Sequence, residues 1–267
     1  MKQGFVKVAS ATPRIRVADP VYNAQVICEQ AKEAAEHGAK IVVFPELCIT
    51  GYTCNDLFLQ ELLLEKAKEA LLTIAEETGQ LETLFLVGLP VDKDGRLYNV
   101  AAVLYRGRIL GMIPKKNIPM YAEFYEGRHF TPGEETVTEY RLEKQVIPFG
   151  SNLLFRCEEL PELILGCELC EDLWVAEPPS TSHALMGATV IANLSASNET
   201  VSKDDYRTLL IKASSARLLC GYIYTSAGEG ESTQDLVFGG HDLIAENGTL
   251  LVQSARFTTG ILYTDLD

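Results

Sequence analysis

The chain has 267 residues, 47% of them hydrophobic and 22% charged, which provides enough apolar material for a large core. Asp and Glu total 37 against 23 Lys and Arg, so the formal net charge is −14. A surface this acidic repels phosphate backbones and anionic lipids, and we therefore expect no nucleic-acid partner and no membrane partner.

Two features of the sequence indicate its compartment. The first twenty residues contain neither a long apolar run nor a small-residue cleavage site, so we expect no signal peptide and no membrane span. Seven cysteines are an odd number, which favours reduced thiols over a disulfide framework. Together these features predict a cytoplasmic protein.

Strands and helices alternate in the first half of the chain. Strands are predicted over residues 5–9, 41–44, 84–89, 100–105 and 108–113. Asp19 and Pro20 predict the start of a helix that ends at Gly38. A second, long helix is predicted over 56–78.

The second half of the chain has the same character. Strands are predicted over 153–156, 163–168, 190–194, 222–225 and 261–264, helices over 182–187 and 205–219, and a hairpin at Asn247-Gly248. No Pro/Ser-rich linker divides the two halves, so residues 1–267 are predicted to form a single domain. Two runs of buried strands with amphipathic helices predict an α/β fold with two sheets, each covered by helices.

Three apolar strands end abruptly in polar residues. They are "VVFPELCITGY" with Glu46, "GMIPKKNIP" with Lys115 and Lys116, and "LGCELCED" with Cys170. Functional side chains of α/β sheets collect beyond the carboxyl ends of strands. A thiolate needs a nearby cation and proton transfer needs a base, roles that lysine and glutamate can fill. Each residue alone also has a structural interpretation: a local cap, a solvated lysine pair or a small buried hydrophobe.

Cys167 and Cys170 form a C-x-x-C sequence. Zinc would require a second ligand pair at similar spacing, which the sequence lacks. A redox pair normally opens a helix, whereas here a predicted strand runs into the first cysteine. We therefore expect no metal site. The four histidines lack the context of a Cys–His dyad and are expected near a helix end, on the surface or in loops.

Glu46, Lys115 and Cys170 occur in the order and contexts of the nitrilase superfamily, the carbon–nitrogen hydrolases, which the chain resembles from about residue 4 to its end. Four stretches resemble the glutaminase branch found in glutamine-dependent NAD⁺ synthetases: "FPELCITGYTCNDLF", "PKKNIPMYAEFYEGRHFTPG", "CEDLW" and "IANLSAS". Two positions depart from that branch. Ala122 and Lys203 stand where relatives have Arg, and lysine cannot make arginine's bidentate fork.

The resemblance implies a four-layer αββα sandwich that releases ammonia from the side-chain amide of L-glutamine. It implies that Cys170 is the nucleophile of a thioester intermediate, that Glu46 transfers protons, and that Lys115, rather than Lys116, stabilises the thiolate. The backbone N–H of Glu171 is implied as an oxyanion donor. Glu126 is implied to position the lysine and the substrate. The substrate-binding positions implied are Tyr52, Tyr121, Phe124, Glu171, Ser197 and Lys203.

The same resemblance implies partners outside the chain. The glutaminase needs no cofactor, whereas an ATP-dependent synthetase domain would use ATP and Mg²⁺ to amidate deamido-NAD⁺. No Ser-Gly-Gly-x-Asp-Ser phosphate loop occurs here, so that domain is expected C-terminally in a longer protein. A homo-oligomer is also expected. Two alternatives stay open: an amidase for another small amide, nitrile or carbamoyl compound, and a non-catalytic regulatory domain.

Overall fold

A computed structural model describes residues 4–233 and 235–267, in which strands and helices alternate. The strands are β1 (Val6–Thr12), β2 (Ile41–Val43), β3 (Leu84–Lys93), β4 (Arg96–Tyr105), β5 (Arg108–Pro114), β6 (Thr138–Leu142), β7 (Gln145–Phe149), β8 (Leu154–Arg156), β9 (Ile164–Leu169), β10 (Val190–Ser195), β11 (Gly221–Ser226), β12 (Leu243–Glu246), β13 (Thr249–Gln253) and β14 (Gly260–Leu266). The α-helices are α1 (Pro20–Glu36), α2 (Glu61–Glu77), α3 (Pro179–Leu185) and α4 (Lys203–Leu218). Short 3₁₀ segments cover Tyr52–Leu59, Glu126–Arg128 and Cys170–Leu173.

The strands form two sheets. The first has the order β14-β1-β2-β3-β4-β5-β7-β6, and the second has the order β13-β12-β11-β10-β9-β8. Strands β1, β2 and β3 are parallel, and so are β9, β10 and β11. Strand β4 runs antiparallel to both β3 and β5, so β2 and β5 point the same way. Their carboxyl ends therefore lie at one edge of the first sheet.

Apolar side chains fill the space between the two sheets. Val43 and Leu86 of the first sheet belong to one cluster with Leu169 and Leu194 of the second. The outer face of the first sheet packs against α1 and α2, and the outer face of the second packs against α4. The result is an αββα sandwich, as the resemblance implied.

Helix α1 shows how local sequence sets an element's ends. The side chain of Asp19 accepts a hydrogen bond from Tyr22 N at 3.1 Å, and Pro20 occupies the first helical position. Gly38, with φ of +85°, follows the last turn in the left-handed conformation that favours glycine. Both predicted ends of this helix are confirmed.

The predicted helix over 56–78 is wrong at its start. A kinked 3₁₀ segment covers Tyr52–Leu59, and Gln60 is extended (φ −90°, ψ 122°), so α2 begins only at Glu61. The 3₁₀ segment buries Cys54 and Phe58 against an apolar cluster, which outweighs the local helical pattern. None of the helices in the described part of the chain has the length and apolar character needed to cross a bilayer.

Candidate active site

The three residues predicted to be catalytic lie at strand ends. Glu46 follows β2 by three residues, Lys115 follows β5 directly and Cys170 follows β9 directly. Lys115 Nζ lies 2.6 Å from Glu46 Oε1. The charges of both residues act on the thiol of Cys170. The structure thus brings together side chains from the facing edges of two sheets.

Gly88 in β3 makes room for the turn that carries Glu46. Leu47 has a φ of +52° in that turn, which folds the main chain back onto β3. A Cβ atom at Gly88 would lie 2.3 Å from Leu47 N and 2.6 Å from Pro45 O. Only glycine permits this approach, so the strand sequence "LFLVGLP" helps to set the position of the glutamate.

Lys115 is fully buried between two carboxylates. Its Nζ lies 2.6 Å from Glu46 Oε1 and 2.6 Å from Glu126 Oε1, and Tyr52 OH also donates to Glu126 Oε1 at 2.9 Å. Burial lowers the pKa of Lys115, but Glu126 and Glu46 outweigh it, and the net direction is well upward. Burial raises the pKa of Glu126 to about 7, against the opposing effect of Lys115. Glu126 therefore contacts the lysine directly.

Two donors at this cluster were not anticipated. Asn99 Nδ2 donates to Glu46 Oε1 at 2.6 Å and approaches Glu126 Oε2 at 3.4 Å. Ala196 N donates to Glu46 Oε2 at 2.9 Å. Asn99 could have been noticed as the polar residue within the apolar run "LYNVAAVL". The main-chain donor leaves no trace in the sequence.

Cys170 occupies a strained position at the start of its 3₁₀ turn. Its φ of +42° lies in the left-handed region, which is uncommon for a residue with a side chain. Such strain is concentrated at functional sites. Burial raises the pKa of the Cys170 thiol to about 12, with a further contribution from Glu46, while Lys115 and the Ala196 N–H act in the opposite direction. The net direction favours the protonated thiol at neutral pH.

The two cysteines of the C-x-x-C sequence have different surroundings. Cys167 packs in the apolar cluster between the sheets, whereas Cys170 lines a cavity. Both are free thiols. Within residues 4–233 and 235–267, no group of three or more His, Cys, Asp or Glu side chains is placed to hold a metal ion.

A cavity of about 400 Å³ opens beside Cys170. Five of the predicted substrate-binding residues line it: Tyr121, Phe124, Glu171, Ser197 and Lys203. Tyr52, the sixth, lies behind the cluster against Glu126, where it lines a separate cavity of about 50 Å³. Trp174 and Asn198 also line the larger cavity, and neither was singled out from the sequence as a binding residue.

The cavity contains both signs of charge. Lys203 Nζ lies 5.7 Å from the centre of the Phe124 ring and 5.3 Å from that of Trp174, and it donates to Asn198 Oδ1. Burial lowers the pKa of Lys203. Tyr121 OH donates to Glu171 Oε2 at 3.0 Å, and burial raises the pKa of that carboxyl. The cavity can therefore offer partners to a cation and to an anion.

Arg207 adds a buried positive charge beside the cavity. It is fully buried and donates to Ser197 Oγ at 3.2 Å and to Glu199 Oε1 at 2.8 Å. Sequence reasoning missed it because a charged residue on a helix is usually exposed. Its contact with Ser197 helps to fix a side chain that lines the cavity.

The expectation that the histidines are exposed or in loops is wrong for His183. This residue lies in α3, fully buried, with Nε2 2.9 Å from Ser151 O. Burial lowers its pKa. Its hydrogen-bond partner is a main-chain carbonyl, which gives it a structural contact.

Two facing sheets carry Glu46, Lys115 and Cys170 at adjoining strand ends. This arrangement is typical of one class of hydrolases, and comparison with known proteins identifies the same class. The model of the carbon–nitrogen hydrolase family matches residues 7–267, so the chain belongs to this family. Glutamine-dependent NAD(+) synthetases are similar to it: the one from Mycobacterium tuberculosis is 43% identical over 260 residues, and the one from Thermotoga maritima is 32% identical over 271. These matches cover 97% and 100% of this chain, but the chain spans only 38% and 42% of the relatives.

Solved structures show the same fold. A glutamine-dependent NAD(+) synthetase from Cytophaga hutchinsonii matches 98% of this chain and 43% of its own, with a TM-score of 0.89 and 28% identity. An amidase from Nesterenkonia sp. AN1 matches 98% of this chain and 90% of its own, with a TM-score of 0.78 and 20% identity. The second likeness supports the fold alone.

Proposed function

We propose that this chain is a glutamine amidohydrolase that releases ammonia from L-glutamine through a thioester at Cys170. The observation that carries the proposal is the cavity beside the thiol, which holds Lys203 and Glu171. An α-amino acid carries a carboxylate and an ammonium group, which these two side chains complement, whereas a simple amide uses neither. The names of the relatives support the same substrate.

The proposed chemistry uses the cluster in two stages. The Cys170 thiol passes its proton to Glu46 as the sulfur attacks the side-chain amide carbon, and Lys115 with the N–H of Glu171 stabilises the oxyanion. Removal of one such donor costs on the order of 100-fold in rate. Glu46 then protonates the departing ammonia. In the second stage Glu46 takes a proton from the water that cleaves the thioester, and the proton returns to the thiol.

Glu126 and the cavity residues complete the proposed assignment. Glu126 positions Lys115 through their 2.6 Å contact. Lys203 and Ser197 bind the substrate carboxylate, and Glu171 binds its ammonium group. Five more residues are proposed to support these groups through their contacts. Tyr121 orients Glu171, and Phe124 and Trp174 flank Lys203. Asn99 orients Glu46, and Tyr52 acts through its hydrogen bond to Glu126.

The longer relatives suggest the destination of the ammonia. We propose that residues 1–267 are the glutaminase domain of a protein whose C-terminal synthetase domain uses ATP and Mg²⁺ to amidate deamido-NAD⁺. The glutaminase reaction itself is proposed to need no cofactor. A cytoplasmic location and a homo-oligomeric state belong to the same proposal, and light scattering on the purified protein tests the latter.

A panel of amides tests the substrate. Glutamine, asparagine, acetamide and propionamide are compared by ammonia release, with the Cys170→Ala variant as the blank. A clear preference for glutamine is expected. Preference for another amide would favour a stand-alone amidase of the same family instead.

A second experiment tests the division of labour. The 267-residue chain is incubated with deamido-NAD⁺, ATP, Mg²⁺ and ammonium, which bypasses the glutaminase step. Glutamate release from glutamine without NAD⁺ synthesis is the expected result. Sustained NAD⁺ synthesis would show that an ATP site lies within these residues.

A further inference from the structure

Asp172 lies two residues after Cys170 and joins two segments of the site. Its buried carboxylate accepts from Leu169 N at 3.0 Å, on the strand that leads to the thiol. It also accepts from Asn117 N and Asn117 Nδ2, both at 2.8 Å, and from Lys116 N at 3.4 Å. These last three donors belong to the segment that follows Lys115.

The contact joins parts of the protein that start from different sheets. Cys170 follows β9 in the second sheet, and Lys115 follows β5 in the first. The separation of two catalytic groups must be held to within about 0.5 Å for efficient reaction. One carboxylate that binds main-chain N–H groups of both segments supplies such a constraint, because neither segment can move without breaking a charge-assisted hydrogen bond.

We propose that Asp172 is a positioning residue that holds Cys170 at its working distance from Lys115. A carboxylate suits this role because it accepts all four hydrogen bonds. An amide of the same shape would turn an NH₂ group towards an N–H donor on one of the two sides. Asp172 acts through the main chain of the two segments and does not line the cavity that contains Cys170.

The test compares Asp172→Asn with Glu168→Gln. Glu168 is a matched control because it is also buried, lies on β9 and accepts hydrogen bonds, from Ser180 N at 2.9 Å and from Tyr222 OH. Its partners lie on α3 and β11, away from the segment that follows Lys115. Both substitutions replace a carboxylate by its amide. They therefore differ only in which segments lose hydrogen bonds.

Two readouts separate positioning from a loss of structure. With glutamine as substrate, which rests on the proposed function, kcat of Asp172→Asn should fall about 100-fold with little change in KM, because a displacement of about 1 Å can cost that much. The second readout is alkylation of Cys170 by iodoacetamide, followed by peptide mass spectrometry, with the partly exposed Cys157 as an internal reference. It requires no turnover.

The sign of the alkylation change is diagnostic. Lys115 favours the thiolate of Cys170, so moving the lysine away should shift the pH profile of alkylation upward by about one unit. Because the pKa of this thiol is already about 12, the shift is measured at about pH 8–9, where it appears as an alkylation rate about tenfold lower at each pH. Loss of the negative charge of Asp172 by itself would shift the profile downward. An upward shift therefore reports displacement rather than the missing charge. Glu168→Gln should keep both the wild-type kcat and the wild-type profile.

Thermal unfolding first establishes that each variant is folded. An unchanged kcat and profile in folded Asp172→Asn, a downward shift, or equal effects in Glu168→Gln would each overturn the proposal. If Asp172→Asn does not fold, Asn117→Ala is used instead, because it removes one of the four donors to Asp172. Its kcat should fall about tenfold, with an upward shift of the alkylation profile. No change in either measurement would overturn the proposal. If the wild type does not hydrolyse glutamine but the alkylation profile still shifts upward, the proposed function fails while the positioning role stands.

Discussion

Replacing Lys115 by methionine removes the cation between Glu46 and Glu126 while keeping an unbranched side chain that is one atom shorter. Both contacts are 2.6 Å long, and the lysine is fully buried. Removing one partner of a buried ion pair typically costs about 3–5 kcal/mol of the free energy of unfolding. The proposed role as an oxyanion donor adds a loss of about 100-fold or more in kcat.

The loss of stability in Lys115→Met should depend on pH, and the two carboxyl groups that remain decide whether it grows or shrinks as the pH rises. Burial already raises the pKa of Glu126 to about 7 with Lys115 present, and without the cation two buried carboxyls face each other. A carboxyl whose pKa is higher in the folded than in the unfolded state contributes stability that is present at low pH. That stability is lost as the pH rises through the folded-state pKa. Lys115→Met should therefore be destabilised more at about pH 8 than at about pH 5.

Lys116→Met is the matched control for this experiment. Lys116 is the next residue, and its Nζ contacts Glu135 at the partly exposed surface. Its loss should change stability little and leave glutamine hydrolysis intact. Urea unfolding at the two pH values measures the free energies, and glutamate release measures activity. Equal losses in both lysine variants, or full activity in Lys115→Met, would refute the assigned role of the buried ammonium.

Three further predictions follow from the site. Cys170→Ala should abolish glutamate release, whereas Cys167→Ala should keep most of it, because the latter side chain packs between the sheets; the opposite result would reassign the nucleophile. Trp174, the only tryptophan, lies 5.3 Å from Lys203 Nζ, so glutamine added to Cys170→Ala should change its fluorescence. Constant emission at saturating glutamine would contradict binding in this cavity. Gly88→Ala should lose about 1–3 kcal/mol in urea unfolding and most activity, because its Cβ would lie 2.3 Å from a main-chain nitrogen. Wild-type stability would contradict that close packing.

The fold was predictable where local and tertiary preferences agree. The wholly apolar run before Glu46 forms a buried strand, and the turn at Asn247-Gly248 joins β12 to β13. The hairpin of β6 and β7 was not predicted, because half of its strand residues are exposed and Pro148 interrupts the strand pattern. The 3₁₀ segment before α2 was mistaken for helix, since long-range burial of Phe58 decides its conformation.

The site was predictable only for residues whose motif context is distinctive. The positions of Glu46, Lys115 and Cys170 after apolar strands indicated where chemistry could occur, and the structure places them together. Asn99 lies in the interior of β4 and reaches the cluster across the sheet, a relation that spacing along the chain does not encode. Arg207 depends on the fold of α4 against the loop that carries Ser197.

The resting state of the proposed nucleophile follows from the same geometry. Burial and the carboxylates of Glu46 and Glu126 raise the pKa of Cys170 to about 12, and Lys115 offsets only part of this effect. Three donors, Lys115, Asn99 and the Ala196 N–H, orient the Glu46 carboxylate, the group that we propose receives the thiol proton as the substrate is attacked. Oxidation and alkylation of cysteines follow thiolate character. With a raised pKa, the Cys170 thiol is expected to be oxidised and alkylated more slowly than an exposed cysteine when no substrate is bound.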